Sequence, residues 1–175
     1  MRGLYIGRFQ PFHYGHLMAI KWILNHVDEL IIAIGSAQYS HTLRNPFTVG
    51  ERMEMIWRTL KAEGLLSKCI ISVVPDTNSC HSIWVAVVKQ YCPRFDVVFT
   101  NDPLSYRLFN EAGIDVRRIP FFKREVYNAT RIRELMIRGE EKWRSYVPKE
   151  VSKFIDEIHG VERLRFLATS HDRAQ

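Results

Sequence analysis

The sequence predicts an α/β fold: a doubly wound parallel five-stranded sheet with helices on both faces and a helical C-terminal region. Three observations carry this expectation. Five apolar, β-branched-rich runs recur along the first two thirds of the chain, segments with helical spacing separate them, and after residue 120 the pattern becomes mainly helical. Strands that read as continuous apolar runs belong to a sheet covered on both faces, and strands separated by helices make that sheet parallel.

Each element has its own signal. "GLYI" (3–6) is the first strand, and Leu17, Ile20, Ile23, Leu24 and Val27 mark one face of a first helix that starts near His13. "ELIIAIG" (29–35) is the second strand. Thr48 with Glu51 three residues on is a capping-box pattern, so the second helix starts near Val49, with Met53, Ile56, Trp57 and Leu60 along one face. "CIISVV" (69–74) and "FDVVFT" (95–100) are the third and fourth strands, and the weaker "IDVRRI" (114–119) is the fifth. Between them "HSIWVAVVKQYC" makes a third helix, and "PLSYRLFNEAG" a fourth that ends at Gly113. Beyond the strands, "NATRIRELMIRG" (128–139) is capped by Asn128 and closed by glycine. "VPKEVSKFIDEIHG" starts with Pro148 near its first turn and ends with Gly160. The 175 residues read as a single domain, 1–175, of which 168–175 is a frayed tail. Internal repeats, low-complexity stretches and interdomain linkers are lacking.

Composition narrows the class. At 46% hydrophobic and 25% charged residues the chain has the make-up of a soluble globular protein. Its apolar runs fall well short of the ~20 residues of a membrane span, and the N-terminus lacks a signal-peptide hydrophobic segment, so an intracellular, cytoplasmic protein is expected. Cys69, Cys80 and Cys92 are odd in number and widely spaced, which argues against a disulfide framework or a structural zinc site. The net charge of +6 is uneven: residues 1–116 hold 11 Lys/Arg against 10 Asp/Glu, residues 117–175 hold 14 against 9. A basic excess suits an anionic partner, either nucleic acid or a phosphorylated small molecule.

In open α/β sheets ligands bind beyond the carboxyl ends of strands, at the switch point in strand order. Residues 7–16, 35–48, 75–82 and 100–104 all fall there. The first of these holds "GRFQPFHYGHL" (7–17), with His13 and His16 one turn apart at a helix start, where free N–H groups and the positive dipole end seat an anion. Gly15 removes a side chain between the imidazoles, and Gly7 does the same at the strand's end, so that a ligand approaches the backbone. Arg8 adds a planar donor suited to phosphate oxygens. A zinc site is a second reading of the histidine pair, without an evident third ligand. Far along the chain "NATRIR" sets Thr130 and Arg133 three residues apart at another helix start, a clamp for a second phosphate. Two such helix starts on one parallel sheet suggest a ligand with several phosphates.

With these residues in view the chain resembles the archaeal-type nicotinamide-nucleotide adenylyltransferases, within the H-x-G-H nucleotidyltransferase superfamily. The resemblance covers residues 2–168 and rests on "GRFQPFHYGH", "GSAQYSHTLRNPFTVGERMEM" (35–55), "IWV" (83–85) and the Thr130–Arg133 pair. Asn128 stands where the family's last motif usually has serine. The resemblance implies a Rossmann-like sheet and transfer of the adenylyl group of ATP to nicotinamide mononucleotide, giving NAD and pyrophosphate. It implies that His16, His13, Arg44 and Arg133 are catalytic, and that Gly7, Arg8, Phe9, Gln10, Gly15 and Thr130 complete an ATP site. Trp84 would stack on the nicotinamide ring, with Asp76, Asn78 and Ser36 as polar partners of the mononucleotide and Thr42 a weaker candidate. Magnesium would arrive with ATP, held by phosphates and water. A homo-oligomer, up to a hexamer, is implied, with neither nucleic acid nor membrane as partner. Other superfamily members acting on pantetheine, flavin or polyol phosphates are the nearest alternative. A class I tRNA synthetase fragment is less favoured for want of room for an anticodon domain. An RNA-binding module, suggested by Phe121, Phe122, Tyr127 and Trp143 in the basic third, would leave the histidines unexplained.

Overall fold

The computed structural model describes residues 1–173. Within them β1 (Arg2–Gly7), β2 (Glu29–Ile34), β3 (Cys69–Val73), β4 (Val97–Phe99) and β5 (Asp115–Arg117) form a sheet in the order β3-β2-β1-β4-β5. All neighbouring strands run parallel, with Gly7 beside Ile34 and Tyr5 beside Phe99 in register. The chain winds outward from β1 to β3, then crosses back to place β4 on the other side of β1. The switch point therefore lies between the carboxyl ends of β1 and β4.

Side-chain alternation divides the core into two layers. Leu30, Ile32, Ile34, Val97 and Phe99 face α1 (Tyr14–Ile23), α2 (Val49–Ala62) and the C-terminal helices, whereas Leu4, Ile31, Ala33 and Val98 face α3 (Trp84–Tyr91) and α4 (Pro103–Glu111). Both faces are covered, which is why these strands are apolar throughout. The capping box forms as expected, with the Glu51 amide donating to Thr48 Oγ1 at 3.1 Å and the Thr48 amide donating to the Glu51 carboxylate at 2.8 Å. Asn128 Oδ1 accepts from the Arg131 amide and starts α5 (Ala129–Arg138), which Gly139 closes at φ 73°. No helix among the described residues is long and apolar enough to cross a membrane.

Three expectations are corrected. The buried stripe of α2 is Arg52, Met55, Ile56, Thr59 and Leu60, while Met53 and Trp57 remain 37% and 41% exposed. The hydrophobic pattern misplaced this face because an arginine can be buried when carbonyl groups satisfy it. The third helix opens as a 3-10 turn, His81–Ile83, before α3 proper. Gly160 does not end a helix: α6 (Lys149–Glu157) stops earlier and Gly160 opens α7 (Gly160–Arg173), which the sequence reading did not anticipate, nor the 3-10 segment Glu141–Tyr146. The left-handed residue at that junction is His159 (φ 54°). Glycine stands at 160 because a Cβ there would lie 2.9 Å from Phe47 and 3.0 Å from Ile155. Of the stretch 168–175, residues to Arg173 continue α7 and the rest lies outside the described residues.

Candidate active site

The loop from Gly7 to His13 carries the chain from β1 into α1. His13 is the N-cap residue, with extended backbone, and the turn brings its ring against that of His16, centroids 3.6 Å apart and planes 21° from parallel. The His13 amide donates to His16 Nδ1 at 3.1 Å. A ring nitrogen that accepts from an amide holds no proton, so neutral His16 carries its hydrogen on Nε2 and has that N–H to offer a ligand. Burial pushes His13 down to about 3, and burial together with the neighbouring His13 holds His16 well below the usual histidine value. Both rings are neutral near physiological pH. Phe9 and Phe12 fix the His16 ring from its other sides, at 4.8 and 5.5 Å between centroids. Among the described residues the buried Nδ1 of His13 has no hydrogen-bond partner. Gly15 is required by packing, since a Cβ there would sit 2.9 Å from His13 Cε1 and 3.1 Å from Tyr127 Cβ.

Arginines gather behind the histidines. Arg133 on α5 is buried, donates to the Gln10 carbonyl at 2.8 Å and reaches Thr130 Oγ1 at 3.4 Å. Burial, then the charges of Arg8 and Arg44, push it down to about 10. Arg8 is lowered by burial and by Arg44, with Asp76 opposing. Among the described residues none of these three guanidiniums forms a salt bridge with a carboxylate. Three mutually repelling cations, Arg133 on α5 and Arg8 and Arg44 on the loops after β1 and β2, make a field suited to an anion with several charges. Helix α7 steadies the adjoining loop: Arg163 donates to the Pro46 carbonyl and, through both Nη atoms, to Glu51 at 2.7 Å.

A cleft of about 400 Å³ opens beside this cluster at the switch point, lined by Gly7, Arg8, His13, Gly15, His16 and Thr130 on one side. Thr100, Asn101, Pro120, Phe122 and Tyr127, from the ends of β4 and β5 and the loop after them, line the other. A second, smaller hollow lies along the ends of β3 and α4, where Asp76, Thr77, His81, Trp84 and Leu108 meet. Trp84 Nε1 is buried there without a partner among the described residues. Asp76 accepts from Ser36 Oγ at 3.2 Å and from the Asn78 amide at 2.7 Å, and Tyr39 hydrogen-bonds Asn78. Phe9, Ser36 and Asn78 all adopt left-handed backbone (φ 53°, 49° and 50°), a costly conformation for non-glycine residues that concentrates at binding loops. No group of three or more His, Cys, Asp or Glu residues among those described is placed to hold a metal ion.

The fold agrees with the comparisons to known proteins. A family model described as Cytidylyltransferase-like matches residues 4–135. The nicotinamide-nucleotide adenylyltransferase of Pyrococcus horikoshii is 50% identical over 175 residues, covering 100% of this chain and 93% of that protein. The protein of the same name from Saccharolobus solfataricus is 54% identical, covering 94% and 95%. The chain belongs to the nicotinamide-nucleotide adenylyltransferase family. Among solved structures, a bifunctional NMN adenylyltransferase/ADP ribose pyrophosphatase from Francisella tularensis superposes with a TM-score of 0.75 at 25% identity, covering 94% of this chain and 52% of that one. The chain thus spans about half the length of that bifunctional protein.

The structure brings His13, His16, Arg8, Gly7, Gly15 and Thr130 to one cleft, with Arg133 at its back and the exposed Arg44 acting on both Arg8 and Arg133. Gly7 departs from its expected use: the space a Cβ would take is filled by the Phe9 ring, 2.8 Å away, rather than left for a ligand. Phe9 and Gln10 also depart from expectation, because both are 1% exposed and face inward. Gln10 clasps Phe47, its amide donating to the Phe47 carbonyl and its carbonyl accepting the Phe47 N–H, both at 2.9 Å. Thr42 Oγ1 accepts the Asn45 amide and shapes its own loop. Trp84, Asp76, Asn78 and Ser36 gather at the second hollow and its rim, apart from the histidine cleft. Sequence reasoning missed Arg52, and missed Asn101, Phe122 and Tyr127 as cleft lining. For Asn101 the signal was its place at a strand's carboxyl end; for Arg52 it was an arginine three residues before Met55 and seven before Thr59.

Proposed function

We propose that this chain transfers the adenylyl group of ATP to nicotinamide mononucleotide, forming NAD and releasing pyrophosphate. The observation that carries the proposal is the neutral, stacked His13–His16 pair set against three guanidiniums that no carboxylate neutralises among the described residues. The polyphosphate lies across His13, His16, Arg8, Arg44, Arg133 and Thr130, and the adenosine occupies the cleft between the ends of β1 and β4. Nicotinamide mononucleotide approaches from the hollow of Trp84, where a flat aromatic suits a cationic pyridinium and Asp76, Asn78 and Ser36 supply polar contacts. Its phosphate oxygen attacks the α-phosphorus in line, and the bond to the bridging oxygen breaks as pyrophosphate leaves. The nucleophile is already an anion, so no protein base and no covalent enzyme intermediate takes part. Arginines neutralise the charge and the His16 Nε2–H donates to the α-phosphate as charge builds there, a preorganised donor in a partly dehydrated site. Magnesium enters as part of the ATP, on phosphate oxygens and water.

The whole chain acts as one catalytic unit in the cytoplasm in this reading, and self-associates up to a hexamer. The exposed Met53 and Trp57 beside edge strand β3 offer an apolar surface for that association. Incubation with ATP, magnesium and nicotinamide mononucleotide, followed by chromatography, should yield NAD and pyrophosphate in equal amounts. Pyrophosphate release only with a pantetheine, flavin or polyol phosphate would replace the proposed acceptor, and light scattering reads the assembly.

A further inference from the structure

Arg52 is a fully buried guanidinium that forms no ion pair among the described residues. It is the fourth residue of α2, and it spends its N–H groups on main-chain carbonyls. Nη1 donates to Arg8 at 2.9 Å and to Gly35 at 2.8 Å, Nη2 to Ser36 at 3.2 Å, and Nε to Thr48 at 3.3 Å. Glu51, the nearest acidic influence, is occupied by Arg163 and the Thr48 amide. Burying an unpaired charge is costly, and carbonyl dipoles on several sides are what make it tolerable. Such a group is out of place in a helix that hydrophobic side chains would anchor at lower cost.

Its partners give the reason. Arg8 belongs to the loop after β1 that carries the histidines, and Gly35 and Ser36 to the loop after β2 that reaches Asp76. Besides Arg52, the Gly35 amide joins these loops by donating to the Gly7 carbonyl, and farther along Gln10 clasps Phe47; at the end that reaches Ser36 and Asp76, Arg52 is the side chain that bridges them. On the functional reading given above, one loop holds ATP and the other faces the mononucleotide. We infer that Arg52 is a positioning residue for the transfer step: its planar fork ties the two substrate loops to each other and so sets the distance between the attacking phosphate and the α-phosphorus. In-line attack needs the reacting atoms held near 3–3.5 Å, and a misplacement of about 1 Å costs on the order of 100-fold in rate. Nη1 alone reaches both loops, and Nη2 on Ser36 with Nε on Thr48 holds it in place; a lysine keeps the charge but has one nitrogen, without the two further donors that fix its position.

The test compares wild type with Arg52→Lys. NAD formation by wild type comes first; its failure would defeat the functional reading and not this inference. In folded Arg52→Lys, kcat for NAD formation should fall about 30- to 100-fold, while calorimetric affinities for α,β-methylene-ATP alone and nicotinamide mononucleotide alone stay within about 3-fold. A folded lysine variant with near-normal kcat, or one that loses kcat and both single affinities together, overturns the inference. Should the variant not fold, hydrogen exchange on wild type decides: α,β-methylene-ATP alone should slow amide exchange across residues 35–40 at least about 5-fold, and no slowing there would also overturn it.

Discussion

Replacing Gly15 by alanine adds one methyl group where the histidine pair has no room for it. The new carbon would lie 2.9 Å from His13 Cε1, 3.0 Å from His13 Nδ1 and 3.1 Å from Tyr127 Cβ. Tyr127 contributes a β-carbon fixed to its backbone, so the imidazole must yield. To restore a contact of 3.4 Å the ring moves by about 0.5 Å, and it is stacked on His16 at 3.6 Å, so the second ring is disturbed too. A displacement of that size predicts a fall in kcat of about 10- to 100-fold. Stability should suffer much less. Gly15 lies within α1 at negative φ, where alanine gains up to about 1 kcal/mol of helix propensity against an overpacking cost of about 1–3 kcal/mol. The assay is steady-state NAD formation with urea unfolding of the same preparations. Gly50→Ala on α2 is the control, because nothing lies closer to its Cβ position than Thr48 Oγ1 at 3.9 Å; it should keep full activity. A folded Gly15→Ala enzyme with wild-type kcat would refute the claim that this ring geometry sets the rate.

His16→Ala should fold and lose at least ~100-fold in kcat, the scale of one lost transition-state donor; near-normal turnover in a folded mutant would remove it from the mechanism. Arg133→Ala should raise the KM for ATP chiefly, and Trp84→Ala that for the mononucleotide; equal losses for both substrates in both mutants would dissolve the division between cleft and hollow. Burial pushes the Cys69 and Cys92 thiols up to about 11, so replacing all three cysteines should leave turnover within several-fold, and a folded but inactive triple mutant would reopen a thiol role. The histidine pair makes stability depend on acidity: below about pH 6.5 the unfolded histidines bind protons that the folded pair refuses, so stability falls as pH drops from there towards about 3. Denaturant titrations should show wild type losing up to about 1.4 kcal/mol per pH unit per histidine relative to the His13→Gln/His16→Gln double mutant; parallel curves would mean the rings are not held neutral by the fold.

The strands and the parallel order were legible because a sheet buried on both faces leaves continuous apolar runs, and the capping residues Thr48 and Asn128 announce their helices through local hydrogen bonds. Where a structural choice depended on distant groups, the sequence misled. The face of α2 was read one residue off because Met53 and Trp57 are apolar and Arg52 is not, yet the carbonyls of Arg8, Gly35 and Ser36 make position 52 a buried one. Gly160 was read as a helix stop because glycine often is, whereas its role is set by Phe47, far away in sequence. Of the site, His13, His16, Arg8 and Thr130 came from motif and spacing. The inward turn of Phe9 and Gln10 followed from packing that no local pattern encodes.

A division of charge explains why this site pairs neutral histidines with crowded arginines. Guanidiniums stay charged even when burial and mutual repulsion lower Arg133 to about 10, so they remain cations at any physiological pH. Imidazoles in the same pocket yield instead: adding two more cations would raise the cost of the unliganded site, and burial keeps both rings neutral, with the neighbouring His13 adding to it for His16. On the proposed reading the arginines supply a fixed field for a polyphosphate, while His16, its Nδ1 already engaged by the His13 amide, presents one hydrogen of fixed tautomer. The donor is ready before the substrate arrives, and its state does not drift with pH across the neutral range. For a reaction whose nucleophile needs no deprotonation, a rigid donor in a cationic field suffices, and a titrating base would add only a source of variation.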